Sequence, residues 1–529
     1  MDDISCTGPE STINRVANEA ATLYQSIGLE LNVQKCFCIS RKNVKLIINS
    51  LEVPYIDYTS TSFCFLGCYL GSAEKTLDSL ENYLNSIKKE LEVIKTLELE
   101  KHLKFFLLKI CYAGKITHLL RSTNPLVTRP LAQKFNELRA KVLSQLLGCK
   151  MFQIPDHAYL SPQYGGLGWT KASILTSCAF VGGCRNAIFE FSERFADWED
   201  LLMTTQSSTV FALNEEISRI DVEKWGRCFP QSFNGNIPEK NVLNLKYTLR
   251  TLQKRLTGMY EKDLYNNICS SAVLNQDLHS LLLEKGVCEN KVSDSSLFVT
   301  IVPRRFGLCA TNEAFVTKMR LYLNIPINQL LSKEKCICSN SPQLTLRHAL
   351  NCSKLITYRS SLHDAVRDTV FNMAQTARIS CIKEPLLKET LSLNNFGSDD
   401  RGDVYCDWID NSEAIVDFVS CNVANDTLVH RRKLNPVAAL DFKAKEKHRK
   451  YDKEIEDANI DRNTQLVFIA FPFSINGRLS VEAETFLDDF QKMVKEKTMK
   501  RFDIFFGVHG FNLPLLIDYR GFSIELEKL

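Results

Sequence analysis

Hydrophobic positions recur along the chain with two different periods. Near the start, Ile13, Val16, Ala17, Ala20, Leu23, Tyr24 and Ile27 fall three and four residues apart, and Gly28 follows as a stop. That spacing predicts an amphipathic helix ended by glycine. Residues 76–150 are dense in Leu, Lys and Glu and poor in Gly and Pro, so this part is expected to be helical. Within it, Lys101 to Leu120 is apolar on more than one face, Arg121 to Pro125 breaks the pattern, and Phe135, Leu138, Val142, Leu143, Leu146 and Leu147 form a second stripe that Gly148 stops. The turn Gly165-Gly166-Leu167-Gly168-Trp169 carries glycines suited to positive φ and a tryptophan suited to a core. A phosphate-binding loop is the alternative there, with a spacing that fits neither the P-loop nor the dinucleotide fingerprint. Residues 172–332 read as helices without a chemical signature.

The second period appears later. After an amphipathic stretch, Tyr358 to Thr376, two β-branched and aromatic runs follow: Arg401-Gly402-Asp403-Val404 and Ile415-Val416-Asp417-Phe418-Val419. Asp410 to Glu413 separates them as a turn, which predicts two adjacent antiparallel strands. Lys447 to Tyr451 lies in a basic helical segment, and Leu466 to Phe471 reads as a buried strand. The pattern as a whole predicts an α+β multidomain chain with an α/β domain at its C-terminal end.

Composition narrows this picture only a little. At 529 residues the chain is too long for one ordinary core. A net charge of +3 means that any affinity for nucleic acid must come from local patches. The strongest is Arg431 to Lys453, where nine Lys/Arg stand against three acids. Arg431, Arg432, Lys433, Arg449 and Tyr451 are the candidates there for contact with a phosphate backbone. Lys101, Lys104, Lys109 and Lys115, and the helical face Lys246, Arg250 and Lys254, fit either a backbone contact or a solvated surface. The nineteen cysteines are scattered and no signal peptide opens the chain, so free thiols in a reducing compartment, nuclear or cytoplasmic, are expected. No apolar run was expected to reach the ~18 residues of a membrane span.

Three groups of residues carry candidate chemistry. Asp403 and Asp417, one on each predicted strand, can share a divalent cation such as Mg²⁺ or Mn²⁺, which polarises a phosphodiester and acidifies a bound water. Lys447, Lys450 and Tyr451 share one helical face and supply a positive partner, Lys447 first and Lys450 second. Glu384 precedes the strands as a possible further carboxylate, and His363 and Arg367 lie four apart on the helix before them. Cys336, Cys338, His348 and Cys352 offer three thiols and an imidazole, a ligand set suited to Zn²⁺, with His348 and Cys352 one helical turn apart.

The stretch Arg401 to Tyr451 resembles the restriction-like endonuclease of non-LTR retrotransposons, a branch of the PD-(D/E)xK nucleases. Gly402-Asp403 stands where that family has Pro-Asp, Asp417 is the second acid, and Val419 stands where the wider superfamily has lysine. Lys447, Lys450 and Tyr451 match the branch's Lys-x-x-Lys-Tyr helix, and His363 and Arg367 resemble its His-x-x-x-Arg helix. The remainder resembles the same polyprotein in the same order. Asp2 and Asp3 match the paired aspartates of a reverse-transcriptase palm, Gly28 to Lys35 its Gly-Leu-x-x-Asn-x-x-Lys element, and Phe65 to Gly67 its primer-grip turn.

The resemblance implies a palm remnant over 1–75, thumb-like helices over 76–150, a helical linker over 151–332, a zinc knuckle over 333–356 and a nuclease over 357–529. It implies Lys35 near an incoming nucleotide, a DNA target, and element RNA as partner of an intact RNA-directed DNA polymerase. It implies neither a membrane nor a small-molecule substrate. The third palm carboxylate would lie ahead of Met1, so this chain is not expected to copy RNA by itself. The alternative reading is a non-catalytic nucleic-acid-binding protein derived from a decayed retroelement.

Overall fold

A computed structural model gives the fold of residues 8–40, 44–57, 60–65, 67–204, 208–231, 238–272, 310–325, 356–388, 396–421, 438–460, 462–474 and 477–498, and of the single residues 6, 299 and 338. The architecture is mixed α+β, mostly helical with small sheets. The chain forms two compact units, each gathered from separate stretches: Met1–Ile94, Gly114–Leu138 and Ala172–Thr257 in the first, Lys95–Ala113, Arg139–Lys171 and Gly258–Leu529 in the second.

In the first unit the opening helix, Glu10–Ser26, ends as expected, with Gly28 at φ +80°. It is bordered by a small core of Ala21, Val33, Leu46, Ile48 and Val53. The strands beside it are short. β1 (Cys38–Ser40) pairs in parallel with β4 (Tyr55–Asp57), β2 (Ile47–Ile48) forms a hairpin with β3 (Leu51–Glu52), and β5 (Ser62–Phe65) forms one with β6 (Cys68–Gly71). Asn49 and Ser50, both at positive φ, make the two-residue turn that matches strand twist. Gly67, at φ +78°, closes the other hairpin.

The helix Ala172–Arg194 corrects one expectation, because by length and composition it is apolar enough to cross a membrane. Its glycines are packing surfaces instead. A Cβ on Gly182 would lie 2.6 Å from Gln253, and one on Gly183 would lie 2.6 Å from the Arg121 carbonyl. It is a core helix whose neighbours approach to backbone distance.

In the second unit, Trp169 is buried and stacks on Phe105 at 5.8 Å. A Cβ on Gly166 would lie 2.0 Å from the Leu160 carbonyl oxygen, so the glycine-rich turn folds against its own backbone. The Arg320 guanidinium donates to the Leu147 carbonyl at 3.0 Å, a cation set on the C-terminal end of a helix.

The main sheet lies in the second unit with strand order β10-β9-β8-β7. β7 (Cys381–Lys383), β8 (Val404–Asp407) and β9 (Glu413–Cys421) are antiparallel neighbours, and β10 (Leu466–Ser474) runs parallel to β9. A parallel pair needs a long crossover, and the helix Ala438–Asn459 supplies it. One face of the sheet packs Val404, Cys406, Val416, Phe418 and Phe471 against Leu362, Val366 and Val370 of the helix Ile356–Thr376 and Phe486 and Phe490 of the helix Val481–Thr498. The other face packs Ile415, Leu466, Phe468 and Ala470 against Ala444, Tyr451 and Ile455 of the crossover helix. Both faces being covered explains why β9 and β10 read as near-continuous apolar runs.

Candidate active site

A single charged residue interrupts the buried stretch of β9. Asp417 is only 5% exposed, between Val416 and Phe418. Strand alternation turns it to the face of the crossover helix, along with Ile415. Val404 pairs with Val416 across the antiparallel ladder, and one step further along that register Asp403 stands opposite Asp417. The two carboxylates are close enough to perturb each other's titration. Asp403 therefore does not lie within its strand, as expected from sequence, but on the residue that leads into β8. The turn between the strands is built by Asp410 and Asn411, both at positive φ.

Each acid is held from a different element. Asp403 Oδ2 accepts the Phe418 backbone N–H at 2.6 Å and faces His363 Nε2 at 3.0 Å. His363 Nδ1 lies 3.3 Å from Asp364. Lys447 Nζ donates to both Asp417 oxygens, at 2.9 and 3.1 Å. Burial, and then the charge of Asp417, push the Tyr451 hydroxyl up.

The electrostatics of the two acids diverge. Burial opposes charge on Asp403, but its bonds to His363 and to the Phe418 N–H outweigh burial and hold its carboxyl below the usual range. Burial pushes Asp417 up, Lys447 pulls it back, Asp403 pushes it up again, and the net direction is upward. Burial would lower the His363 pKa, but its carboxylate partners raise it. A low and a high carboxyl this close share a proton or a cation.

That donor set fits a divalent ion. Two carboxylates facing each other across the ladder provide hard oxygen ligands. Among the described residues no group of three or more His, Cys, Asp or Glu has the spacing of a metal cage. Such an ion would keep open positions for water and phosphate oxygens, as Mg²⁺ commonly does.

The other expected residues divide. Lys450 points away from the acids, with its ammonium over the rings of Phe396 at 5.3 Å and Tyr451 at 5.1 Å. Tyr451 corrects the expectation of a nucleic-acid contact. It is 2% exposed and stacks on Phe468 at 4.3 Å and on Phe396 at 5.3 Å, so its ring cannot reach a phosphate backbone. Arg449 is exposed and lines a shallow groove of about 500 Å³ with Lys445, His448, Asp452, Lys453 and Glu456. Glu384 is drawn off by Arg367, which also binds Asp364 and Asp368, while the Glu384 backbone N–H donates to the Asp403 carbonyl at 3.0 Å. Lys35 is exposed on a single 3₁₀ turn, Val33–Lys35.

Asp2, Asp3, Cys336, His348, Cys352, Arg431, Arg432 and Lys433 lie outside the described residues. Cys338 is half-buried and packs against the larger core. Among the site residues, His363 carried the weakest sequence signal, only its four-residue spacing from Arg367, and the structure puts it directly on Asp403.

Gly402 stands where the resembled family has proline. Its N–H donates to the Pro385 carbonyl at 3.0 Å, and an added Cβ would meet Ile415 at 3.2 Å and Leu387 at 3.3 Å. The position needs both the donor and the space that glycine leaves. No protein-family model matches the chain, and no curated protein matches its sequence.

Proposed function

We propose that residues 356–498 carry a metal-dependent DNA-nicking site of the restriction-like type, in a chain derived from the polyprotein of a non-LTR retrotransposon. The observation that supports this most directly is the facing pair Asp403 and Asp417 with Lys447 on Asp417, set at the two central strands of a four-stranded sheet. A bound Mg²⁺ or Mn²⁺ would polarise the scissile phosphodiester and acidify a water.

The chain's own groups have distinct tasks. Asp403 and Asp417 hold the cation and fix its place relative to the sheet. Lys447 neutralises Asp417 before the substrate arrives. Its ammonium, held at Asp417, would offset the charge that grows on a phosphate bound there during displacement. Lys447 on the crossover helix would stand in for the lysine that the wider superfamily has at Val419, an apolar residue packed beside Ala439 and Leu440. His363 and the Phe418 N–H orient Asp403 through one oxygen. Exposed Lys445, Arg449 and Lys453, four residues apart on the crossover helix, form a ridge suited to a phosphate backbone.

The test is nicking of supercoiled DNA by the full chain with Mg²⁺ or Mn²⁺, compared with Asp403→Asn and Asp417→Asn. Wild-type nicking that both variants lose supports the proposal. A wild type that binds DNA yet nicks it with neither ion overturns it in favour of a non-catalytic nucleic-acid-binding protein.

A further inference from the structure

Lys447 reaches Asp417 only while the crossover helix keeps its rotation about its own axis. The buried stripe of that helix is Leu440, Ala444, Tyr451 and Ile455. With Ala444 as reference, Lys447 lies about 60° to one side and His448 about 40° to the other. The two neighbours in sequence thus occupy opposite borders of the buried stripe. A smooth apolar stripe resists rolling weakly, because it has no directional contacts. Directional contacts at both borders resist it strongly.

Lys447 makes one of them, with Asp417. His448 makes the other. Its Nε2 lies 2.9 and 3.0 Å from the two oxygens of Glu482, and its Nδ1 lies 2.8 Å from Asp452 on its own helix. Glu482 sits in the first turn of the helix Val481–Thr498. Its Oε1 also accepts the backbone N–H of Ala470 at 2.9 Å. Ala470 is the residue of β10 that pairs with Asp417 of β9.

These contacts close a ring. It runs from Asp417 across the ladder to Ala470, through its N–H to Glu482, across to His448, one residue along the helix to Lys447, and back to Asp417. We propose that Glu482 is a positioning residue for the site: through Ala470 and His448 it fixes the crossover helix so that the Lys447 ammonium stays on Asp417. The catalytic meaning of Lys447 rests on the nuclease reading above, whereas the ring itself does not. His448 also meets the edge of the Phe468 ring, at 5.1 Å, which confines it between β10 and Glu482.

Trace labelling of the full chain with an amine-acetylating reagent, read by mass spectrometry, tests this without any nuclease assay. Labelling of Lys447 is compared with that of Lys450 in the same molecule. In Glu482→Ala and in His448→Ala the ratio should rise about threefold, the range of a partly exposed ion pair. His448→Arg keeps a cation facing Glu482 and should restore the wild-type ratio. Amide exchange at Ala470 should speed up in Glu482→Ala and stay unchanged in His448→Ala, a split that general loosening would not produce. An unchanged Lys447 ratio in His448→Ala with a wild-type circular dichroism spectrum overturns the proposal, whatever happens to Glu482→Ala. In the nicking assay, Glu482→Ala should lower kcat about tenfold with little change in KM for DNA, as a misplaced catalytic group does. A wild type that labels as expected but does not nick leaves the ring standing and removes the nuclease reading.

Discussion

Residues 1–75 and residues 357–529 were each expected to hold an acid pair and a lysine, and the described strands of the two regions are built differently. The first set consists of strand pairs two to four residues long around a core of Ala21, Val33, Leu46, Ile48 and Val53. Its lysine, Lys35, stands exposed on a lone turn. The second set is one sheet with nine-residue strands at β9 and β10, covered on both faces, and its lysine reaches a buried carboxylate. Holding two like charges close together needs a frame stiff enough to oppose their repulsion. A continuous covered sheet provides one, and short exposed hairpins do not.

The largest expected effect sharpens that contrast. Removing a metal-binding carboxylate should lower nicking by at least about 10³-fold, so Asp403→Asn and Asp417→Asn should both fall to background. Lys447→Ala should cost about 10²-fold. Lys35→Ala should leave nicking unchanged, and a loss there comparable to that of Lys447→Ala would break the comparison. Hydrogen exchange by mass spectrometry gives the next measure. Backbone amides of β9 and β10 should be protected at least on the order of 10²-fold more than those of β1 to β6, since exchange follows burial and cooperative packing. Equal protection would mean that the short strands are framed as firmly as the long ones.

Two glycines carry the contrast down to single residues. Gly402 has an added-Cβ position 3.2 Å from Ile415 and a bonded N–H, whereas Gly28 has positive φ and open space around it. Gly402→Pro, which restores the resembled family's residue, should therefore destabilise by about 2–4 kcal/mol, from overpacking and a lost hydrogen bond. Gly28→Ala should cost only about 1 kcal/mol, through backbone strain. Denaturant melts of the two variants check the order.

Much of this second region was legible in the sequence. The β-branched and aromatic run Ile415 to Val419 and the turn before it were enough to place Asp417 on a strand and Asp403 beside it. The spacing of Lys447 and Tyr451 was enough to put both on one helical face. It set Lys447 ahead of Lys450, but spacing alone does not fix which turns inward, because residues three apart on a helix are neighbours that diverge once the buried stripe is fixed. It misjudged Tyr451, because a tyrosine in a basic segment reads as surface until its partners Phe396 and Phe468 are known. His363 was undecidable, since its partner Asp403 lies forty residues away and a lone histidine on a helix carries no record of long-range contact. In the same way, a periodic pattern shows that a face is apolar without showing how close its neighbour comes, which is what the glycines of Ala172–Arg194 decide.

The smallest predicted effect separates ring packing from charge at the buried acid. Tyr451→Phe keeps the stacking on Phe468 and Phe396 and deletes only the hydroxyl on Asp417. A hydrogen bond to a carboxylate is worth about 1–2 kcal/mol, so the variant should lose about that much near neutral pH. The sign of its pH dependence follows from Asp417. Its folded pKa lies above the ordinary carboxylate value, so protonation favours the folded state, and that contribution is full below the unfolded pKa and lost as pH rises through the folded one. The hydroxyl donates best to the ionised form. The deficit of Tyr451→Phe should therefore be present at neutral pH and shrink as pH falls through the Asp417 titration. Asp403 runs the opposite way, since its lowered pKa gives stability that is lost only as pH falls. A deficit in Tyr451→Phe that shrinks only at a pH well below the Asp417 titration would mean the hydroxyl serves Asp403 rather than Asp417. No deficit at any pH would mean that the tyrosine is held by its rings alone, and the buried acid would then owe its charged form to Lys447.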